Sequence, residues 1–424
     1  MKNLKIYSII ILISFFLTFV LFEIYLRKNE DILLKLRSYL PDTKIFKKLY
    51  IENYSLRKKF KIGDKNYYLF NEPVKINVYK SDQKYGAQKY NYFNQGFCNK
   101  NPDILNSKII AVGDSFTHCL AIKPEDVWVK NIFNINKNKV LNYGIQGAGV
   151  DTYYHVLKNK LTSNIDLIIF AVYEGNDFRD LLNYRNIYLN EKKIKSFLNS
   201  ETMNFQFKNE IKGKSKFLKK FFGNSYSFNF IWAYIKKIYP ELSAEYNFRY
   251  QVISNDRQIK FNIANSDIDE VQYAELLVNE DDKFFYKNLL YSAINENFIN
   301  AKELARLNNS QLLFIYLPSA YSSFGFEKTI FEDNSVKNIV FEYSKIFSSI
   351  FSDVCIDNNF DCINLKKELI QFNSSSSIPS HFPHNLHLTP YGSKIVSKKL
   401  NDYICENFFN EKTFIKHNCE YNSK

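Results

Sequence analysis

Short apolar runs alternate with helix-like stretches along much of the chain. The run at 109–112 is rich in β-branched residues and predicts a buried strand, and similar runs follow at 140–143, 166–173 and 311–317. Further elements are predicted as helices at 151–161, 284–307, 336–351 and about 393–408, and as a strand near Ile363. Strands that alternate with helices predict an α/β fold, with a mostly parallel sheet covered on both faces.

The N-terminus carries an almost uninterrupted apolar run from Ile6 to Phe22. Lys2 and Lys5 precede the run, and Glu23 ends it. Its length is at the short end for a membrane-spanning helix, and no small-x-small cleavage site follows it. We therefore predict an uncleaved transmembrane anchor over residues 1–28, with a cleaved signal peptide as the alternative.

The orientation of this anchor is open on charge alone. Lys2 and Lys5 favour a cytoplasmic N-terminus, whereas Arg27 and Lys28 on the other side of the run pull in the opposite direction. The signal-like N-terminus and the closely spaced cysteines favour a main domain outside the cytoplasm, in a periplasmic or other extracytoplasmic location.

Three regions interrupt or flank the alternating strands and helices. Residues 29–105 are predicted as a stalk or lead-in segment, and residues 413–424 as a tail. The domain between them, 106–412, is interrupted at about 181–285 by an aromatic and basic segment with a predicted helical pair around 217–222 and 228–238. This insertion is interpreted either as a lid over a site or as a packing elaboration.

Composition argues against a nucleic-acid partner and against a zinc site. The chain has 424 residues and a formal net charge of +13, but its lysines are spread out and no basic reading helix is evident, so nucleic acid is not expected as a partner. None of its 6 cysteines forms a CxxC pair, which argues against a zinc site. Cys355 and Cys362, and likewise Cys405 and Cys419, are spaced to close small disulfide loops, and six reduced cysteines are the alternative.

Polar residues follow the ends of the predicted strands. Ser115 comes after Gly113 and Asp114, where we predict a turn from strand into helix. Gly147 and Asn176 follow the next two strands. The carboxyl ends of parallel strands form the usual ligand site of such sheets, so these residues are candidates for one site. The alternative roles are a helix cap for Ser115, a turn glycine for Gly147 and an Asx turn for Asn176.

Four blocks of sequence resemble the SGNH (GDSL-type) hydrolase family. They are Gly113-Asp114-Ser115, Asn142-Tyr143-Gly144-Ile145-Gln146-Gly147, Gly175-Asn176-Asp177 and His387-Leu388-Thr389-Pro390-Tyr391-Gly392. The resemblance covers roughly residues 108–180 and 285–408. It implies a three-layer α/β/α domain with a flavodoxin-like, mostly parallel sheet.

The resemblance also implies roles for individual residues. Ser115 corresponds to the nucleophile and His387 to its general base. The backbone N–H groups of Ser115 and Gly147 and the side-chain amide of Asn176 correspond to the oxyanion donors, with Gly144 or Gly149 as alternatives to Gly147. A serine hydroxyl needs a base to take its proton, and a positioned donor stabilises the charge that develops on the acyl oxygen. No cofactor is implied.

One departure concerns the group that orients His387. The family usually has an aspartate two or three residues before this histidine, whereas this chain has Asn385 and His384. Asn385 could orient the imidazole, as an asparagine does in Cys-His-Asn sites. A main-chain carbonyl could do so instead, or the site could be impaired. His381, His384 and His387 also raise a metal option, but no carboxylate cluster stands beside them and no metal is predicted.

The expected function is therefore a membrane-anchored serine esterase. Its substrate would be an O-acyl ester, such as an acetyl ester, on a cell-surface glycan, and its N-terminal helix would attach it to the membrane. Acyl transfer to a sugar hydroxyl at the same site is one alternative. A catalytically weak glycan-binding or assembly protein on the same fold is the other.

Overall fold

The described part of the chain includes twelve strands, nine α-helices whose bounds are given below, a helical stretch at residues 273–278 and short 3₁₀ segments. The computed structural model describes residues 2–29, 32, 58–69, 74–75, 80–88, 90–91, 97–99, 102–134, 140–185, 225–238, 249–254, 257–262, 273–278, 283–331, 334–383, 386–408, 415–416 and 419. The strands are β1 (Lys58–Ile62), β2 (Lys65–Leu69), β3 (Val74–Lys75), β4 (Tyr90–Asn91), β5 (Ile109–Gly113), β6 (Val140–Gly144), β7 (Leu167–Tyr173), β8 (Arg249–Ser254), β9 (Arg257–Asn262), β10 (Gln311–Leu317), β11 (Thr329–Phe331) and β12 (Cys362–Asn364). The helices are α1 (Lys2–Lys28), α2 (Lys80–Gln83), α3 (Val150–Lys160), α4 (Asp177–Tyr184), α5 (Tyr226–Ile238), α6 (Lys283–Leu307), α7 (Asn334–Asp357), α8 (Lys366–Ser375) and α9 (Pro390–Phe408).

The central sheet has five strands in the order β12-β10-β7-β5-β6. Every neighbouring pair is parallel. The chain leaves β5 for the edge strand β6 and then returns to the other side of β5 as β7. The direction of strand progression therefore reverses between β5 and β7, as in the flavodoxin-like order, and ligands of such sheets bind beyond the carboxyl ends at this point.

Alternate residues of the buried strands supply two cores. In β5, Ile110 and Val112 face a core formed with α3, α4, α6 and α7. Ile109 and Ala111 face a second core formed with residues 116–133, α8 and α9. Since burying one such side chain contributes about 1.5–3 kcal/mol, both faces stabilise the sheet. The predicted mostly parallel sheet with helices on both faces, a three-layer arrangement, is confirmed.

The predicted helix after Ser115 is wrong. Residues 115–121 form turns, and 3₁₀ segments follow at Pro124–Asp126 and Trp128–Asn134. Two side chains donate hydrogen bonds to backbone carbonyl groups that, in an α-helix, would accept hydrogen bonds from the backbone of the helix itself. Asn142 Nδ2 donates to the carbonyl of Thr117 at 2.6 Å, and Trp128 Nε1 donates to that of Phe116 at 3.1 Å.

Contacts divide the chain into two compact units. One comprises Met1–Ser55 and Asn190–Tyr246, and the other Leu56–Leu189 and Asn247–Lys424. The predicted insertion is thus shared between them. In the second unit β8 and β9 form an antiparallel hairpin that β11 extends, so the prediction of a helical insertion is wrong for this part. The predicted helix around 217–222 lies outside the described residues.

In the first unit, α5 packs against α1. Glu23 accepts hydrogen bonds from the backbone N–H groups of Tyr226 at 3.0 Å and Ser227 at 2.7 Å, at the start of α5. Phe22 and Phe230 meet edge to face with ring centroids 5.4 Å apart. The described helix of the insertion therefore has a packing role against α1.

The apolar run near the N-terminus forms α1, and many of its large side chains are exposed. They include Tyr7, Ile10, Ile11, Ile13, Phe15, Phe16, Leu17, Leu21, Ile24 and Tyr25. Among the described residues, no helix combines the length and the apolar character that a membrane crossing needs. The predicted transmembrane anchor is therefore not confirmed.

All six cysteines are paired. The disulfides are Cys98–Cys119, Cys355–Cys362 and Cys405–Cys419. The first connects the turn after Ser115 to the lead-in segment. The last connects α9 to the predicted tail.

Candidate active site

Ser115 stands in the turn just beyond the carboxyl end of β5. Its side chain is half-buried, and its Oγ donates to Asp114 Oδ2 at 3.3 Å. The other carboxylate oxygen of Asp114 accepts the backbone N–H of Phe116 at 2.8 Å. Asp114 is fully buried, and this burial raises its pKa to about 7. The hydroxyl therefore lies at the switch point of the sheet, beside a carboxyl group that titrates near neutral pH.

His387 lies against the same turn. Its ring stacks on that of Phe116, with centroids 4.7 Å apart and an interplanar angle of 26°. Because Phe116 directly follows Ser115, the structure brings the predicted base and the predicted nucleophile into one neighbourhood. In the described residues the hydroxyl of Ser115 hydrogen-bonds to Asp114 rather than to the imidazole.

A tight loop before α9 holds His387. Residues His381 and Leu388 form an antiparallel bridge, and the N–H of Phe382 donates to the carbonyl of His387 at 2.8 Å. Leu386 has a φ of 62°, in the left-handed region that residues with a side chain rarely adopt. The residue before the imidazole is thus held in a strained conformation by the bonds of the loop.

Two buried histidines face His387. Burial and, to a smaller extent, the charge of His387 together lower the pKa of His118 and of His381 to about 3. Nδ1 of His381 lies 2.8 Å from Ser380 Oγ, which itself accepts a hydrogen bond from Asn373 Nδ2 at 2.8 Å. The hydroxyl of Ser380 is therefore placed to donate to His381. Both buried rings are neutral at neutral pH, so they bring no competing positive charge to the site.

Gly147 differs from the two alternative glycines. It has a φ of 67°, and a Cβ built on it would meet no atom within 4 Å. A Cβ on Gly144 would lie 2.4 Å from the backbone nitrogen of His118, and one on Gly149 would lie 3.0 Å from that of Leu181. Gly144 and Gly149 thus serve close packing, and open space favours Gly147 as the donor beside a substrate.

Asn176 lies directly before α4, just beyond the carboxyl end of β7. It is the N-cap residue, but its side chain makes no capping hydrogen bond. Its Nδ2 instead donates to Oδ2 of Asp180, one turn along α4. The interpretation of Asn176 as a simple turn or cap residue is therefore not supported, since its amide is directed elsewhere.

Buried acids surround Asn176 on both sides in sequence. Asp177 accepts hydrogen bonds from Tyr153 Oη at 2.5 Å and from the backbone N–H of Tyr173 at 2.9 Å. Burial raises the pKa of Asp177 well above its ordinary value, and the nearby charge of Asp114 raises it further. Asp177 is therefore held by two hydrogen bonds inside the turn that carries Asn176.

The sequence interpretation assigned no role to Glu174. Its carboxylate is completely buried and accepts hydrogen bonds from Tyr316 Oη and from Ser319 Oγ, each at 2.8 Å. Tyr343 Oη donates to the backbone carbonyl of Glu174 at 2.8 Å. These bonds fasten the end of β7 to the end of β10 and to α7. An acid directly after a continuously apolar strand was the sequence signal for this cluster.

The turns that carry Ser115, Gly147, Asn176 and His387 meet at the carboxyl edge of the sheet, where Phe116 also stacks on Tyr173 with centroids 3.7 Å apart. Asn385, the predicted orienting group, lies outside the described residues, as does His384. Within the residues that the structure describes, no group of three or more His, Cys, Asp or Glu side chains could hold a metal ion.

Several solved structures are similar to this chain. A putative lipolytic protein of the G-D-S-L family from Desulfitobacterium hafniense has a TM-score of 0.34 and 11% identity, covering 70% of this chain and 99% of that chain. An acetyl xylan esterase has a TM-score of 0.32 and 13% identity, with coverages of 70% and 99%. A phospholipase A1 from Streptomyces albidoflavus has a TM-score of 0.37 and 11% identity, again covering 70% and 99%.

Neither a sequence profile of a known family nor a curated protein sequence matches this chain.

Proposed function

We propose that this chain is a serine esterase of the SGNH type that hydrolyses O-acyl esters. The observation that carries the proposal is the position of Ser115 at the switch point of the sheet, with the ring of His387 stacked on the adjacent Phe116 at 4.7 Å. A half-buried hydroxyl, an imidazole and a turn rich in N–H donors are the groups that acyl transfer needs.

In the proposed reaction, Ser115 Oγ attacks the acyl carbonyl carbon while His387 takes the hydroxyl proton. The resulting oxyanion accepts hydrogen bonds from the N–H groups of Ser115 and Gly147 and from the amide of Asn176. Collapse of this intermediate breaks the ester bond, and His387 returns the proton to the leaving alcohol. Water then attacks the acyl-enzyme by the same route and releases the acid.

The charges around the site suit this sequence of steps. Neutral His118 and His381 leave His387 as the group that gains positive charge. For the attack, Ser115 Oγ has to turn from Asp114 toward His387, and a bond as long as 3.3 Å gives little resistance. We therefore expect rotation about the Cα–Cβ bond of Ser115 to precede chemistry.

Purified protein and a chromogenic acetyl ester test the proposal. We expect Ser115-dependent hydrolysis, with the Ser115→Ala rate at least about 10³-fold lower. Ser349→Ala is the matched control, because Ser349 also donates to an aspartate, Asp353, at 3.4 Å on α7. Equal rates for the wild type, Ser115→Ala and Ser349→Ala would reject the esterase.

The bond between Ser115 and Asp114 favours a second candidate, a catalytically weak glycan-binding protein on the same fold. In that protein the hydroxyl would keep its resting partner, and His387 would have no acid at positions 384 and 385 to orient it. Glycan binding that survives Ser115→Ala, together with no Ser115-dependent hydrolysis, would establish this candidate. Transfer of the acyl group to an added sugar hydroxyl would identify an acyltransferase instead.

We also propose an extracytoplasmic location and an acylated glycan as substrate. Three disulfides support the location, because such bonds persist in oxidising compartments. The exposed apolar side chains of α1 support attachment to a membrane through this helix.

Fractionation of cells expressing the full chain or a variant without residues 2–28 tests attachment. Alkylation of the cysteines before and after reduction tests the compartment.

A further inference from the structure

The amide of Asn176 has a defined orientation. Its Nδ2 donates to Asp180 Oδ2, and the backbone N–H of Asp180 donates back to the carbonyl of Asn176 at 2.9 Å. The nitrogen of a side-chain amide donates and its oxygen accepts, so this bond places the NH₂ side of the amide toward Asp180 and the oxygen away from it. Reversing the amide would set its oxygen against the carboxylate.

Asp180 is itself fixed. Its side chain is buried, and its Oδ1 accepts Nε of Arg179 at 3.0 Å. The two oxygens therefore have different partners, one on Arg179 and one on Asn176. The charge of Asp180 also contributes, after burial, to the raised pKa of Asp114, which indicates that Asp180 lies close to the Ser115 turn.

We propose that Asp180 is a positioning residue that sets the orientation of the Asn176 amide. One N–H of the amide is engaged by Asp180, and the second N–H is left to donate to the oxyanion. This inference rests on the proposed esterase function. Without the carboxylate, the amide can turn by 180° and present its oxygen to the developing negative charge, which disfavours the transition state.

A double-mutant cycle tests this role. We expect Asp180→Ala to lower kcat for an acetyl ester by about tenfold or more, with a small effect on KM, whereas Asp180→Asn keeps an acceptor and most of the activity. In an Asn176→Ala background, Asp180→Ala should cause no further loss, because the amide that it positions is absent. Asp166→Ala is the control, since Asp166 pairs with Lys108 just before β7 begins, at the other end of that strand.

Equal loss from Asp180→Ala in both backgrounds would overturn the proposal, because a structural role would not depend on Asn176. Full activity of Asp180→Ala would also overturn it. If no variant and not even the wild type shows Ser115-dependent hydrolysis, the esterase proposal fails by itself.

The contact can then be tested without turnover. Side-chain amide signals of ¹⁵N-asparagine-labelled protein, assigned by their loss in Asn176→Ala, should show one amide proton shifted downfield by the carboxylate. Asp180→Ala should remove that shift and Asp166→Ala should not. An unchanged Asn176 signal in Asp180→Ala would reject the positioning role.

Discussion

The turns after β5 and β7 lie side by side at the sheet edge but are held very differently. After β5, the hydroxyl of Ser115 is half-buried and has one long hydrogen bond, of 3.3 Å, to Asp114. After β7, the carboxylate of Glu174 accepts two hydroxyl groups at 2.8 Å each, and Asn176 and Asp177 are fixed by partners of their own.

This difference matches the two tasks of an acyl-transfer site. A nucleophile has to rotate between its resting partner, the base and the carbonyl carbon. An oxyanion donor is most effective when it is already in place, because it then costs no reorganisation during the reaction. Under the proposed function, the extensively hydrogen-bonded turn after β7 suits an oxyanion donor, and the singly bonded hydroxyl after β5 suits a nucleophile.

After the loss expected for Ser115→Ala, the next largest effect is expected at Asn176, the proposed donor. Replacing Asn176 with alanine should lower kcat for an acetyl ester by about 10²–10³-fold, the usual loss for one side-chain donor of this kind. Stability should fall by about 1–3 kcal/mol, because Asp180 loses a buried hydrogen-bond donor. Steady-state kinetics and a thermal melt measure the two quantities.

Asn106→Ala serves as the matched control for this substitution. Asn106 is an exposed asparagine whose amide also donates to an aspartate, Asp103, at 3.1 Å. Its replacement should leave kcat unchanged. A similar kcat for Asn176→Ala and Asn106→Ala would mean that the turn after β7 is rigid for structural reasons alone.

The next effect concerns the rigidity of that turn. Glu174→Ala leaves the buried hydroxyl group of Tyr316 without its acceptor and removes one of the two partners of the Ser319 hydroxyl, which should cost about 2–3 kcal/mol of unfolding free energy. Glu174→Gln keeps one acceptor oxygen and should cost less. Urea unfolding measures both. An alanine variant as stable as the wild type would show that Glu174 does not fasten the turn.

The sequence predicted the strands before these two turns but not the local structure after Ser115. The reason is that the strands depend on neighbouring residues, whereas the turn depends on a contact between residues far apart in sequence. The β-branched run at 109–112 and the apolar run at 166–173 determined strands β5 and β7, because burial on two faces needs only local composition. The absence of a helix after Ser115 depends on Asn142 in strand β6, whose side-chain amide donates a hydrogen bond to the carbonyl of Thr117. The helix propensity of a short stretch of sequence does not reveal a hydrogen-bond donor that comes from a distant strand.

The candidate site shows the same division. The motif blocks pointed to Ser115, Gly147, Asn176 and His387, which follow strand ends or open the last helix and are recognisable one at a time. The partners that fix them were missed. Asp180 is one helical turn from Asn176, and the donors to Glu174 come from residues more than a hundred positions later, so only the folded chain brings these groups together.

A smaller effect concerns the loop that carries His387. The pKa of His381 is about 3 in the folded protein and ordinarily 6.5, so unfolding binds a proton between these values. His381 therefore contributes stability above pH 6.5 that is lost as the pH falls toward 3, with a slope approaching about 1.4 kcal/mol per pH unit. His381→Asn should show a shallower loss between pH 6 and 4 in unfolding experiments.

The titration of Asp114 also changes the stability with pH, so the stability curve of His381→Asn has to be compared with that of the wild type. Its raised pKa, about 7 against 3.8, contributes stability that is complete below pH 3.8 and is lost as the pH rises through 7. His381 and Asp114 therefore act in opposite directions where their titration intervals overlap, while His118 acts in the same direction as His381. Only the difference between wild type and variant isolates His381. Parallel stability curves for the two proteins would contradict a neutral, buried His381.

The smallest expected effect is on Gly147, and Gly144 offers the sharpest contrast to it. Gly147→Ala should cost only about 1 kcal/mol of stability, from its φ of 67°, since its Cβ would enter open space. Gly144→Ala should cost several times more, because its Cβ would collide with the backbone of His118. Despite its stability, Gly147→Ala should hydrolyse an acetyl ester several-fold more slowly, since the new methyl group occupies the space beside the proposed donor. Wild-type kinetics for Gly147→Ala would remove Gly147 from the oxyanion site and leave the donors to the turns after β5 and β7.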